Sequence, residues 1–542
     1  MGQLYYGDNL YVLRESVKDE SVDLIYLDPP FNSKRDYNLL FKTPKGHESE
    51  AQIEAFEDTW HWNEQAEREF DEIIHGTNTD LAQMMTALRS FLGENDMMAY
   101  LTMMANRLIE LHRVLKPTGS LYLHCDPTAS HYLKVVLDGV FGKERYENEI
   151  VWKRTTTHSD SKTWSRVADS IFFYTKGNTF TWNTPREDHS EEYLESKYRY
   201  DDQDGRGVYR LDNMTSPNPR PNMMYEWKGF PFPEKGWRYS IETMTKLDEE
   251  GCIWYPRSKS GELDTAKRPQ LKRYLNEMEG GVMGTVWTDI SPINSQAQER
   301  LGYPTQKPLT LLERIIEASS NEGDLVLDPF CGCGTAVHAA QKLKRLWIGI
   351  DITHLAISLI EKRLRDAFGA ACEFEVHGTP KDLDAARDLA RRDKYQFQWW
   401  AVSLVGAQPF QGKKKGADGG IDGLKFFRDI DQKEAHKIVV SVKGGTLKAD
   451  DIRSLMAVRE REKAEIALFI SLEEPTAGMV KDATSAGLYT SGNEKMKVPR
   501  VQLLTIEGLL SGTQRSQHPD YLPDLNFKKA SKETTTQQKD LL

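Results

Sequence analysis

Short apolar runs that end on an aspartate recur along this chain and set its predicted elements. The run Ser21-Val22-Asp23-Leu24-Ile25-Tyr26-Leu27 reads as a strand and stops at Asp28-Pro29-Pro30-Phe31. Proline lacks a backbone donor and fixes φ, so the chain leaves the sheet there. The Pro29 carbonyl is then free of sheet pairing, beside the Asp28 carboxylate, with the Phe31 ring close behind. Two acceptors and a stacking face suit a planar base that carries an exocyclic amino group. A second run, Leu325-Val326-Leu327, reaches Asp328-Pro329-Phe330 and then the turn Cys331-Gly332-Cys333-Gly334-Thr335. A helical pattern over residues 336–343 and a strand Leu346-Trp347-Ile348-Gly349-Ile350 follow, ending at Asp351. This is a β-turn-α-β unit with an acid at the tip of its second strand. Between the two motifs, Met104, Leu108, Leu111 and Leu115 predict a helix over residues 101–116. Pro117-Thr118-Gly119 is expected to stop it before the strand Ser120-Leu121-Tyr122-Leu123-His124. Strands alternating with helices make the fold class α/β.

Composition narrows this picture. At 542 residues the chain exceeds a single core and predicts two or three domains. Hydrophobic content of 39% with 28% charged residues describes a soluble globular protein. No apolar run reaches the roughly 18 residues of a membrane span, and the N-terminus lacks a basic-then-apolar signal pattern. Five scattered cysteines make no disulfide framework, and Cys331 and Cys333 read as small residues filling a tight loop. A reducing cytoplasm fits. The net charge of −11 opposes nucleic-acid binding until it is located: residues 47–96 hold thirteen acids against two bases, which is the whole excess. That stretch is expected to be a helical insertion with a solvated face turned away from phosphates, anchored by Phe56, Trp60 and Trp62. Residues 155–295 instead interleave bases with aromatics, as in Lys197-Tyr198-Arg199-Tyr200, Tyr225-Glu226-Trp227-Lys228 and Trp237-Arg238-Tyr239. Such residues hold phosphates, read guanine edges and stack on bases, and about half of the aromatics are expected in the region's own core.

The glycine turn has its own chemistry. Gly332 and Gly334 permit φ > 0 and close approach of a ligand to the backbone. Asp351 follows at roughly the 20-residue spacing at which an acid meets ribose hydroxyls in nucleoside-binding folds. The third glycine of a dinucleotide fingerprint and the Lys-Ser/Thr pair of a phosphate loop are both missing, so the expected ligand is a nucleoside without phosphates.

Together the two motifs resemble the S-adenosylmethionine-dependent DNA amino methyltransferases of the β group, in which Asp-Pro-Pro-aromatic precedes the cofactor loop. Gly7-Asp8-Asn9, Asn148-Glu149-Ile150-Val151-Trp152-Lys153-Arg154 and Thr305-Gln306-Lys307-Pro308 match in the family's order, and the resemblance covers residues 1–370. It implies a Rossmann-like methyltransferase sheet built from residues 1–154 and 296–370, with a target-recognition domain inserted at 155–295. It also implies methyl transfer to N6 of an adenine flipped from double-stranded DNA. Asp28-Pro29-Pro30-Phe31 would be the catalytic corner: Asp28 and the Pro29 carbonyl accept from the amino group, and Phe31 stacks on the base. Cytosine N4 is the alternative target, although its methylases more often carry serine at the first position. The implied cofactor contacts are Phe330, Gly332, Gly334 and Thr335 around the methionine part, Asp328 near its ammonium and Asp351 near the ribose, with Asp8 and Lys307 as further contacts. β-group relatives are often dimers, so a homodimer is expected from the resemblance.

Composition shifts after Arg365. Within residues 371–394, the charged pattern at 381–394 reads as a linking helix, and 395–513 as a second, smaller α/β domain. An apolar helix over 395–407 precedes Gly419-Gly420-Ile421-Asp422-Gly423, the strand Leu424-Lys425-Phe426-Phe427 and the strand Lys437-Ile438-Val439-Val440-Ser441-Val442-Lys443. An acid after a glycine turn and a lysine ending the next strand would meet across a hairpin, where such a pair can hold a divalent metal and orient water. The layout resembles the Mrr-like branch of the PD-(D/E)xK restriction-endonuclease fold, which implies Asp422 as a Mg²⁺ carboxylate and Lys443 as the lysine. Ser441 stands where that family usually has Glu or Gln, and Gln398 where a Glu is expected. Both departures weaken metal affinity, so a non-cleaving DNA-binding domain is the alternative to a nuclease. Residues 514–542 are polar and expected to be a disordered tail. The fusion of the two domains implies a restriction–modification or defence setting.

Overall fold

A computed structural model describes residues 1–30, 36–42, 48–57, 60–157, 162–294, 297–301, 303, 305–369, 372–410, 419–429, 435–492, 496–519 and 530–533, with backbone alone at 36–42 and 48–57. Phe31 and the Phe56 side chain lie outside the described residues.

The apolar runs pair into one nine-stranded sheet. From one edge its order is Val286–Trp287, Tyr146–Lys153, Ala168–Thr175, Leu115–Cys125, Val22–Leu27, Leu325–Asp328, Leu346–Asp351, Gly2–Tyr6 and Phe374–His377. From Leu115–Cys125 onward the pairing is parallel, as strands buried on both faces favour. Helices Asn9–Ser16, Asp96–Val114 and Ser130–Phe141 pack on one face around Leu27, Leu108 and Leu133. Helices Leu309–Ser319, Thr335–Lys342 and His354–Phe368 pack on the other around Tyr26, Ile315 and Ile360. Register then decides where the acids emerge. Leu327 lies opposite Ile25, Asp328 opposite Gly349, and Asp351 opposite Tyr6. Asp28, Asp328, Asp351 and Gly7-Asp8-Asn9 therefore leave the sheet along one edge of strand carboxyl ends, where open α/β sheets bind ligands.

Three local expectations need correction. The helix at Asp96–Val114 starts earlier than its apolar periodicity suggested, because Asn95 caps it by accepting from the Met98 N–H. Pro117-Thr118-Gly119 does not close that helix but lies inside the next strand, where the pairing with Val22–Leu27 slips register and so tolerates a proline. The acidic insertion is not helical throughout: Glu48–Glu57 is a strand paired antiparallel with Asp36–Lys42. Its sequence alternates polar positions with small or apolar ones, the two-residue period of a ribbon, before helices Glu64–Ile74 and Thr79–Leu92 begin. Trp60 and Trp62 do pack against the main core.

Residues 184–284 form a separate compact unit. Its antiparallel sheet runs Ile253–Trp254, Gln270–Tyr274, Tyr209–Asn213, over a core that includes Met214, Trp227, Phe230 and Trp237. Of the aromatics interleaved with bases, Tyr198, Tyr209, Trp227 and Trp237 are thus buried, while Tyr200 is exposed.

The C-terminal domain is a five-stranded mixed sheet in the order Gln408–Pro409, Gly423–Arg428, Ala435–Lys443, Ile466–Ser471, Val501–Thr505. Helix Leu383–Arg392, expected as a linker, contributes Ala386 and Leu389 to this domain's core, so it is the domain's first helix. Helix Lys394–Leu404 follows at once, capped by Asp393. The polar tail is not wholly free either. The Gln514 amide oxygen accepts from the Thr505 N–H, and Glu533 pairs with His338 and Lys342.

Candidate active site

The carboxyl ends of the central strands open into a cavity of about 870 Å³. Asp28, Pro29 and Pro30 line it together with Asp328, Phe330, Gly332, Thr335 and Asp351, as do Asp8 and Lys307. The acid-diproline corner and the glycine bend, far apart in the chain, thus face one space. Gly334 does not line the cavity but lets the bend form. Its φ is 73°, and a Cβ there would lie 2.8 Å from Ile360. Gly332, at φ 49°, lies under the Tyr303 ring, which a Cβ would approach to 3.2 Å.

Each acid is held by its surroundings. Lys307, expected as a further cofactor contact, is buried and its Nζ donates to Asp28 Oδ2. Asp28 Oδ1 is buried and has no hydrogen-bond partner among the described residues. Asp351 Oδ2 accepts from the Gly332 N–H at 2.9 Å, and its Oδ1 accepts from the Thr353 N–H and hydroxyl, each at 2.9 Å. Asp351 therefore holds the glycine bend as well as facing the cavity, and burial raises its carboxyl to about 6. Burial pushes Asp328 well above the usual carboxylate range, with the negative charges of Asp28 and Asp351 adding to the push. Six acids, Asp8, Asp28, Glu69, Asp328, Asp351 and Asp393, against Lys307 and Arg107 make a cavity that favours a cationic ligand.

Several lining residues were not singled out from the sequence. Arg107 sits inside the apolar helix yet reaches the cavity edge. Its Nε donates to Asn9 Oδ1 at 2.5 Å and its Nη2 to both Asp8 oxygens at 3.1 Å. Asn9 Nδ2 in turn donates to the Pro329 carbonyl at 2.8 Å, stitching Gly7-Asp8-Asn9 to the second aspartate motif. A lone arginine on the buried face of a helix was the available signal. Tyr303 is buried beside the glycine bend. Tyr26 lines the cavity floor, its hydroxyl 2.8 Å from His124 Nδ1. Trp60, His61, Asn63 and Glu69 bring the acidic insertion to the cavity wall, which corrects the expectation of a purely solvated face.

The C-terminal motif is arranged differently from its expectation. Asp422 Oδ1 accepts from Gln398 Nε2 at 2.9 Å and Oδ2 from the Val442 N–H at 2.7 Å, with the Ser441 hydroxyl at 3.4 Å. Lys443 Nζ pairs with Asp451 at 3.2 Å. Among the described residues no group of three His, Cys, Asp or Glu side chains could hold a metal ion. Both Asp422 oxygens face N–H donors, a poor fit to Mg²⁺, which takes several oxygen ligands in near-octahedral geometry. No described helix is long and apolar enough to cross a membrane.

Two family models match the chain, one described as DNA methylase over residues 22–362 and one as restriction endonuclease over residues 389–505. The Type II methyltransferase M.EcaI of Enterobacter cloacae is 35% identical over 268 residues, 49% of this chain and 57% of that protein. The Mod subunit of the Type III restriction-modification enzyme StyLTI of Salmonella typhimurium is 26% identical over 351 residues, 62% of this chain and 49% of that protein. The chain spans about half the length of these relatives. Among solved structures, the M1.HpyAVI–SAM complex is 14% identical, covering 67% of this chain and 99% of that one at a TM-score of 0.32.

Proposed function

Because the chain belongs to the DNA methylase family, whose model takes in residues 22–362, we propose that it moves a methyl group from S-adenosylmethionine to the N6 amino group of an adenine turned out of duplex DNA. The observation that carries this reading is the pair of Asp28 oxygens. Oδ2 is fixed by Lys307, while Oδ1 is buried without a hydrogen-bond partner among the described residues, in a residue that lines the cavity. A buried acceptor is costly unless a donor meets it, and an amino group is such a donor. S-adenosylmethionine, when bound, supplies a methyl group carried on a cationic sulfur. Phe330, Gly332, Thr335 and Asp328 would hold its amino-acid part and Asp351 its ribose. The acid-rich lining suits its positive charge.

The residues then divide the work. Asp28 and the Pro29 carbonyl accept hydrogen bonds from the two amino N–H groups, which draws the nitrogen lone pair out of the ring and orients it. Lys307 holds Asp28 Oδ2 and so orients the carboxylate toward the base. The gains are positional and electrostatic, so no covalent enzyme intermediate is needed. Aspartate at the first position of the corner supports adenine over cytosine N4. The test is digestion of DNA treated with purified protein and methyl-labelled cofactor, with mass spectrometry of the nucleosides. Label in 6-methyladenine is expected; label in 4-methylcytosine would replace the adenine assignment.

For the C-terminal domain, the donors on Asp422 favour the non-cleaving alternative, with Asp422 acting as a structural acceptor. Supercoiled plasmid incubated with the protein and Mg²⁺ is expected to stay intact. Cutting that Asp422→Ala abolishes would show a working nuclease and a restriction–modification enzyme in one chain.

A further inference from the structure

The cavity is not closed by methyltransferase elements alone. Tyr395, Gln396 and Trp399, from the C-terminal domain's helix Lys394–Leu404, line it beside Ile352 and Thr353. Gln396 Oε1 accepts the His354 N–H at 3.2 Å, fastening the helix to the turn that follows Asp351. One turn on, Trp399 packs with Tyr303, Cys333 and Leu355 around the glycine bend. It is only half-buried, and it also lines the cavity. The helix is anchored on its other side, where Phe397 and Trp400 enter the C-terminal core and Gln398 holds Asp422. Residues 395, 396 and 399 share one face by helical spacing, so a single helix serves both the C-terminal core and the cavity.

We propose that the C-terminal domain supplies one wall of the S-adenosylmethionine site, with Trp399 and Tyr395 covering the nucleoside and Gln396 fixing the helix against the Asp351 turn. This rests on reading the cavity as the cofactor site. The position fits the nucleoside end. Asp351 ends the strand next to Gly2–Tyr6, two strands from Asp28, and Thr353 follows it as the cap of the next helix, so the helix from the C-terminal domain stands at the end of the cavity away from the methyl acceptor. An aromatic wall is what a purine stacks on. Binding linkage is reciprocal, so bound cofactor in turn holds the first helices of the C-terminal domain in place.

The test uses the full chain, with S-adenosylhomocysteine titrated calorimetrically into wild type, Trp399→Ala, Trp399→Phe and Tyr395→Ala. Trp399→Ala should weaken binding about tenfold or more, and Trp399→Phe should recover most of the loss. The loss should appear as a higher KM for the cofactor in methyl transfer. Tyr395 is 57% exposed, so Tyr395→Ala keeps the fold and should still weaken binding. Hydrogen exchange of residues 394–404 in wild type should slow when the ligand is added. Wild type that binds the ligand, with both alanine variants binding equally well and exchange at 394–404 unchanged, would overturn the wall and leave the cofactor reading intact. Wild type that binds none would overturn the cofactor reading itself.

Discussion

The Asp28–Lys307 pair joins two side chains from distant parts of the chain, and on the proposed function the chemistry rests on them. Removing one partner of a buried ion pair leaves the other charge uncompensated, at a cost of about 3–5 kcal/mol when burial is complete and less here, where both side chains keep some exposure. Lys307→Met should therefore slow single-turnover methyl transfer by roughly 100-fold or more, the scale of losing one preorganised electrostatic contact, with cofactor affinity little changed. Asp351 gives a pH signature. Its carboxyl is raised by burial to about 6, so it is ionised above that pH and protonated below it. Ribose hydroxyls donate best to the ionised form, so cofactor affinity should fall as pH drops through about 6. Titrations across pH 5–8 should show this fall in wild type and a flatter, weaker profile in Asp351→Asn. Asp28 and the glycine bend were legible in the sequence because each breaks a local rule: a proline pair ends a strand, and two glycines stand where strand passes to helix. Lys307's partner was not legible, since only the fold sets which carboxylate it meets.

At the scale of elements, the bend and the helix behind Asp351 are the sensitive joints. Gly334→Ala would force a side chain into a left-handed backbone and against Ile360, so it should cost about 1–2 kcal/mol or more and impair cofactor binding. A thermal melt and a cofactor titration check both. His354 opens the helix His354–Phe368, stacked on Tyr6 at 3.6 Å between ring centroids. Burial lowers its pKa from 6.5 to about 3, so the folded state holds it neutral. The unfolded chain therefore binds more protons between those values. Stability from this group is complete above about pH 6.5 and is lost as pH falls toward 3. His354→Phe keeps the stack and removes the titration, so the gap between the melting temperatures at pH 7 and pH 4.5 should narrow. The central strands were legible as continuous apolar runs, because strands buried on both faces show no other pattern. The ribbon at Glu48–Glu57 was hidden by its charge, which suggested a solvated helix although its alternation had period two. Helix Leu383–Arg392 was hidden in the same way: its charged residues outnumber the two, Ala386 and Leu389, that it buries.

At the scale of the molecule, the parallel register gathers four acids on one sheet edge, and a second domain leans a helix against the cavity they form. That joint could not be read from sequence, because Tyr395, Gln396 and Trp399 look like an ordinary apolar helix until the fold sets them beside Thr353. The Mrr-like motif was legible as a pattern, but its chemistry depends on what Asp422 and Lys443 touch, and those are Gln398, the Val442 N–H and Asp451. The central claim is that the acid-diproline corner orients an amino group in the same cavity that holds the cofactor. Single-turnover methyl transfer to DNA by Asp28→Ala, with cofactor occupancy measured in the same samples, tests it most directly. Wild-type occupancy with a transfer rate at least about 100-fold lower is expected; full occupancy with transfer at the wild-type rate would remove the role given to Asp28.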